Sequence, residues 1–257
     1  MSSSRLPFKV MMSLSGKPLL YRQIERINAS VLKGTVIVAT SEEASDDVIY
    51  NFCRSENIPV YRGSLNDLLE RHYKAAESAG ADIILKIPSD CPLIDPEVIN
   101  RTVKFFFDNY GKYDYVSNLH PATYPDGNDV EIMEMSALKT ALDEAVKQME
   151  REHTTPFLWE NPGRFRIGNV EWETGLNYSM THRWTIDYEE DYVFIKTIYD
   201  LLYSPGKVFS MYDILTLLDK RPEIKKINSK YAGVNWYRNH LDELKTISAG
   251  ETRQVTN

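Results

Sequence analysis

The strongest constraint on the fold is the alternation, over the first 120 residues, of helix-period segments with short β-branched runs. Leu19, Leu20, Ile24 and Ile27 recur at helical spacing, and the run Val36-Ile37-Val38-Ala39 follows. The spacing predicts further helices near Asp46 to Ser55, Leu65 to Ala79 and Pro96 to Asp108, with strands at Ile58 to Tyr61, Asp82 to Ile87 and Tyr113 to Ser117. Gly80 stands where a helix stop belongs, and Pro96 in a first turn. Strands separated by helices pair in parallel through right-handed crossovers, so an α/β fold with a doubly wound, mostly parallel sheet is expected. Ligands of such sheets bind outside the carboxyl ends of the strands, here the segments after Ala39, Ile87 and Ser117.

From about Tyr124 to Val170 the rhythm changes to a strand at Asp129 to Met133, helices covering Ser136 to Glu160 and a strand at Arg164 to Val170. This reads as a small inserted cap over the sheet. Strand character returns at Trp184 to Asp187, followed by helices at Glu189 to Tyr203 and Met211 to Asp219. The reading is one domain over residues 1–245, with an insertion at about 124–170 and a polar, frayed tail at 246–257.

Composition narrows the function classes. With 30 basic against 37 acidic side chains the formal charge is -7, so no global field draws the chain to nucleic acid or an anionic membrane. The longest apolar runs fall far short of the roughly 20 residues of a membrane helix, so no transmembrane helix is expected. Met1 to Lys9 lacks the pattern of a secretory signal, which makes a cytoplasmic location the default expectation. Cys53 and Cys91, the only cysteines, are too few for a disulfide framework.

No G-x-G-x-x-G is present, and Gly16-Lys17 lacks the rest of a P-loop, which sets aside dehydrogenases and P-loop NTPases. Five other features carry chemistry. The opening Ser2-Ser3-Ser4-Arg5-Leu6-Pro7-Phe8-Lys9 offers backbone donors and two cations four apart, suited to a polyphosphate or equally to a frayed terminus. Asp90, after a strand and between Pro88 and Pro92, suits Mg²⁺, whereas Asp95 reads as the cap of the helix that follows. Asp187 is either a helix cap or a second metal ligand facing Asp90. Asp126, Asp129 and Glu131 either read sugar hydroxyls or form the solvated face of an edge strand. His153, beside Glu152, is a general base or, more commonly for a lone helical histidine, structural; His182-Arg183 carries the same two readings.

Taken in order, Ser3-Ser4-Arg5-Leu6-Pro7, Gly16-Lys17-Pro18-Leu19, Val38-Ala39-Thr40-Ser41, Tyr61-Arg62-Gly63, Ser89-Asp90-Cys91-Pro92-Leu93-Ile94-Asp95, Tyr124-Pro125-Asp126-Gly127, Arg151-Glu152-His153-Thr154-Thr155-Pro156 and Arg183-Trp184-Thr185-Ile186-Asp187 resemble the cytidylyltransferase family of spore coat polysaccharide biosynthesis protein F. That family is similar to the synthetases that activate 3-deoxy-manno-octulosonate and sialic-acid-like sugars. The resemblance covers roughly Met1 to Leu202.

It implies a Rossmann-like nucleotidyltransferase fold and transfer of CMP from CTP to a small sugar acid with Mg²⁺, releasing pyrophosphate for a surface polysaccharide or glycan. By position Ser3, Ser4, Arg5 and Lys9 would hold the triphosphate, and Ala39, Thr40, Ser41, Pro88 and Ser89 would flank the nucleoside. Asp90 and Asp187 would hold the metal and, with Arg5 and Lys9, form the catalytic set. Asn118, Asp126, Asp129, Glu131, His153 and Arg183 would face the acceptor sugar. A homodimer is the common assembly of such relatives.

The pattern departs from the family in two places. Ser2 and Phe8 stand where glycines are usual, and the apolar strand that precedes the loop in the family is not in this sequence. Two other readings therefore stay open: a degenerate, non-catalytic nucleotide-binding chain, and a related transferase using another nucleoside triphosphate or a sugar phosphate.

Overall fold

The computed structural model describes residues 5–254. A short hairpin, β1 (Ser13–Leu14) and β2 (Lys17–Pro18), leads into α1 (Leu19–Ala29). There follow β3 (Val38–Ser41), α2 (Asp47–Ser55), β4 (Val60–Gly63), α3 (Leu68–Ser78), β5 (Ile83–Lys86), α4 (Pro96–Asp108) and β6 (Tyr115–Ser117). Then come β7 (Glu131–Glu134), α5 (Met135–Glu144), α6 (Gln148–His153), α7 (Pro156–Trp159), β8 (Ile167–Asn169), α8 (Glu189–Leu202), α9 (Met211–Lys220) and α10 (Pro222–Lys225). No helix among the described residues is long and apolar enough to cross a membrane.

Local chemistry sets the boundaries. Asp95 caps α4 as expected, its Oδ1 accepting from Glu97 N at 2.8 Å while Oδ2 accepts from Met211 N. Gly80, two residues past α3, sits at φ +62°, a conformation that costs glycine little.

The strands form a parallel pair, β3-β4, and a four-stranded sheet in the order β5-β7-β6-β8. β5 and β6 share a direction, and β7 runs antiparallel between them. The segment 124–170, expected as a cap, thus places a strand inside the sheet and α5 to α7 beside it. Strand periodicity sorts the core: Val116 and Ile132 pack with α1, α4 and α8, whereas Ile84, Tyr115 and Met133 pack with α3 and α5. Helices therefore cover both faces, as the alternation implies.

Trp184 to Asp187, expected as a strand, is an irregular crossing. Asp126 and Arg183 make a single parallel bridge, and Ile186 N donates to the Asp90 carbonyl at 3.1 Å. The crossing is close enough that a Cβ on Gly127, at φ +103°, would stand 2.7 Å from the Trp184 carbonyl carbon. The expected frayed tail is packed as far as Thr252: Ile247 and Thr252 are buried, and Thr246 N donates to Glu160 Oε1 at 2.9 Å.

β3 pairs only with β4 and β5 only with β7 among the described residues, so each leaves one edge without a strand. Between them, walled by Ile24 and Ile27 of α1, Ala75 and Ala76 of α3 and Val103 of α4, lies the inner part of a cavity of about 1130 Å³. Its outer part opens at the carboxyl ends of β5 and β6, a position the fold class assigns to a ligand.

Candidate active site

The outer cavity is organised around Lys9. A turn at Phe8, at φ +60°, directs the chain into a short 3-10 helix that begins with this lysine. Its Nζ lies 3.1 Å from Asp90 Oδ2 and 3.0 Å from Asp187 Oδ1, and donates to the Ile186 carbonyl at 2.8 Å. Burial would lower the pKa of this ammonium; the two carboxylates outweigh it and hold the group above the usual lysine range. Two acidic side chains 97 positions apart in sequence thus converge on one cation position.

Asp187 is held from three sides. Arg5 Nη2 lies 2.9 Å from its Oδ1, and Arg183 Nη2 lies 3.1 Å from its Oδ2. Burial would raise its pKa, but Lys9, Arg5 and Arg183 together bring it below the usual aspartate value. The backbone is fixed as well, because Asp191 Oδ2 accepts from Asp187 N and Tyr188 N, both at 3.0 Å, at the start of α8.

Arg183, whose side chain is 1% exposed, spans the back of the site. Its Nε and Nη2 meet the two oxygens of Asp191 at 2.9 and 3.0 Å, and Nη1 donates to the Val234 carbonyl at 2.7 Å. Asp126 Oδ2 is 3.6 Å from Nη1. Expected to face the acceptor, Arg183 lines the cavity but commits its fork to these buried acceptors, which makes it a positioning group for Asp187.

Asp126 and Asp129 stand beside this knot. Burial, together with Asp129, Asp187 and Asp90, pushes Asp126 well above its usual range despite Arg183; burial and Asp90 push Asp129 up to about 6. Six carboxylates, Asp90, Asp126, Asp129, Glu131, Asp187 and Asp191, therefore share four cations, Arg5, Lys9, Lys86 and Arg183. Such a site has room for further positive charge. Asp90 and Asp187 supply only hard oxygen donors, and no group of three or more candidate ligands occurs among the described residues. Two carboxylates fit Mg²⁺, which completes its shell with phosphate and water.

The remaining expectations divide. Ala39, Pro88, Ser89 and His153 line the cavity. Thr40 and Ser41 do not: their hydroxyls donate to Asp46 Oδ2 at 2.8 and 2.7 Å, and these bonds contribute, against burial, to holding Asp46 below the usual aspartate range. Asn118 binds the backbone of the 126–130 loop, its Nδ2 donating to the Asn128 carbonyl at 2.7 Å and its Oδ1 accepting from Val130 N at 2.9 Å. Glu131, 2% exposed, spends Oε1 on Lys86 at 2.5 Å and Oε2 on the Tyr115 hydroxyl at 2.7 Å. Both residues line the cavity, with these polar atoms bonded to the protein. Burial depresses His153 to about 3, so its imidazole is neutral at pH 7 and stacks on Trp236 with centroids 3.7 Å apart. The companion His182 is likewise depressed by burial, to about 4. Ser3 and Ser4 lie outside the described residues.

Sequence reasoning missed Gln23, Lys86, Asp191 and Trp236. Gln23 is 2% exposed, lines the cavity and donates to the Pro88 carbonyl at 2.6 Å. Asp191 had a visible signal, since a carboxylate in a helix's first turn accepts free backbone donors. Gln23 and Trp236 gave none.

Comparison with known proteins identifies the family. A family model described as Cytidylyltransferase matches residues 1–213. An uncharacterized protein of Methanocaldococcus jannaschii is 33% identical over 230 residues, 88% of this chain and 90% of its own. The spore coat polysaccharide biosynthesis protein SpsF of Bacillus subtilis is 28% identical over 228 residues, 87% of this chain and 92% of its own. A solved cytidylyltransferase from Leptospira borgpetersenii, 32% identical, superimposes with a TM-score of 0.81 over 87% of this chain and 92% of that one. The architecture, the cavity at the strand ends and the match over most of the length place the chain in the cytidylyltransferase family.

Proposed function

We propose that the protein transfers CMP from CTP to a hydroxyl of a small sugar acid, with Mg²⁺, and so supplies an activated sugar for a surface polysaccharide. The observation that carries this reading is the Lys9 ammonium held between Asp90 and Asp187 at the cavity mouth, with Arg5 beside it. Bond formation between the sugar oxygen and the α-phosphorus breaks the α–β bridge and releases pyrophosphate. Negative charge grows on the phosphoryl oxygens and the departing pyrophosphate.

Arg5 and Lys9 are the cations available to the triphosphate. Asp90 and Asp187 would hold Mg²⁺, which when bound neutralises phosphate charge. Arg183 and Asp191 keep Asp187 aimed at that position. Ala39, Pro88 and Ser89 would bound the nucleoside, while Asp126 and Asp129 are the polar groups left for the acceptor. The sugar-acid class and the polysaccharide role rest on the family resemblance and on the relative named for spore coat polysaccharide synthesis.

Pyrophosphate release from CTP, Mg²⁺ and a panel of 2-keto-3-deoxy sugar acids tests the reading, with GTP, UTP and ATP as comparisons. Asp90→Asn should lower turnover at least 100-fold with the melting temperature retained; a normal rate would refute the metal assignment. One alternative has its own support. Phe8 occupies a backbone conformation that favours glycine, which suits a chain that binds nucleotide without turnover. Calorimetric CTP binding in the absence of turnover of any sugar would select it.

A further inference from the structure

The family match ends at residue 213, yet the cavity wall continues past it through Asn235, Trp236, Tyr237 and Arg238. This stretch is held on both sides. Before it, Asn228 Nδ2 donates to the Arg183 carbonyl and to Asp191 Oδ1, both at 2.9 Å, and the Val234 carbonyl receives Arg183 Nη1. After it, Lys245 N and Thr246 N donate to the Glu160 carboxylate at 2.5 and 2.9 Å. Wall residues anchored to the same Arg183–Asp191 pair that fixes Asp187 keep a defined position relative to the reacting groups.

Trp236 and Tyr237 make this stretch aromatic, between Asn235 and Arg238. Trp236 stacks on His153 at 15° between planes, and Tyr237 meets the rings of His120 and Trp159 at 6.2 and 6.1 Å. His120 itself lies 4.2 Å from Trp159, and burial depresses it to about 4. Elsewhere the cavity mouth is lined by carboxylates and cations. Trp236 and Tyr237 pack with the cluster that holds Tyr115 of β6 and Met133 of β7, whereas Ala39 belongs to β3, which pairs with β4. A ring with an apolar C–H face and a hydroxylated rim matches an aromatic surface in the same cavity as the Asp126 and Asp129 carboxylates.

We propose that residues 235–238 determine which acceptor is used, Trp236 and Tyr237 forming the surface on which the C–H face of the acceptor's sugar ring packs. This rests on the cytidylyl-transfer reading, and the test separates the two. Fluorine NMR of 5-fluorotryptophan protein, with the Trp236 signal assigned by Trp236→Phe, reads the wall without turnover; 3-deoxy-manno-octulosonate, N-acetylneuraminate and Mg²⁺-CTP are the probes. The Trp236 signal should move with at least one sugar and stay in place with Mg²⁺-CTP alone. Movement with the nucleotide only, or with no probe, overturns the proposal. Movement with a sugar that is never turned over leaves the wall standing and sinks the transfer reading. Where a sugar is turned over, Trp236→Ala should raise its KM at least ten-fold with the KM for CTP within two-fold. Equal change in both constants refutes the assignment. Trp236→Phe should give a smaller rise in the sugar KM and serves if the alanine variant does not fold.

Discussion

Replacing Arg183 by methionine keeps most of the side-chain volume and removes the guanidinium. What remains is Asp191, fully buried, facing Asp126 and Asp187 with no cation between them. Removing one partner of a buried ion pair costs about 3 to 5 kcal/mol, because the other charge is stranded. For a chain of this length each kcal/mol is about 2 to 4 °C of melting temperature, so a fall of about 6 to 20 °C is expected. The Val234 carbonyl also loses its donor, which loosens the C-terminal wall.

The deficit must depend on pH. Without the guanidinium, Asp126, already raised by burial and by its carboxylate neighbours, loses the cation that opposes them and binds its proton more tightly in the folded state than in the unfolded one. Stability relative to wild type is therefore recovered as pH falls toward about 4 and lost as it rises to 7. Thermal melts of Arg183→Met across that range test this, and a loss below about 1 kcal/mol at pH 7 would refute the role given to Arg183. Asp191→Asn in the same background should cost much less than in wild type, since the charge it removes is already stranded.

Three further expectations concern other residues. Asp129, with a folded pKa of about 6 against an unfolded value near 3.8, favours folding fully below about pH 4 and loses that contribution as pH rises through 6; Asp129→Asn should thus stabilise the metal-free protein at pH 8, by up to about 3 kcal/mol, and be neutral at pH 4 in urea melts. Phe8→Gly, at a left-handed and exposed position, should gain about 0.5 to 1 kcal/mol; a loss of stability would show that the Phe8 ring holds the Lys9 turn. Backbone amides on the open edges of β3 and β5 should exchange far faster than those paired between β6 and β7, and equal protection would mean that the inner cavity is closed to water.

What the sequence disclosed and what it withheld follow the range of each interaction. Helices and their caps are local: Asp95 before Pro96 announces a helix start whatever packs on it, and Ile83 to Leu85 reads as a buried strand from composition alone. Which strand lies beside which is not local, and the antiparallel β7 between β5 and β6 depends on a return of the chain that no spacing encodes. The site divides the same way. Position after a strand singles out Asp90, whereas Lys9 in the opening loop and Asp187 before a helix read equally well as part of a frayed terminus and as a helix cap, and only the fold brings the three together. Thr40, Ser41, Asn118 and Glu131 carry equally suitable polar groups, and each is spent on a neighbour, Asp46, the 126–130 backbone, or Lys86 with Tyr115, that becomes adjacent only in the folded chain. Free and committed polar groups look alike in a sequence. They differ in whether a partner already satisfies them, because a buried group with its hydrogen bonds filled gains nothing further from a ligand. By that criterion Asp126 and Asp129, both pushed upward by burial and by neighbouring carboxylates, are the groups whose charge an arriving cation or hydroxyl donor would relieve most. Arg183, the most completely bonded cation of the site, is the group that ligand binding should move least.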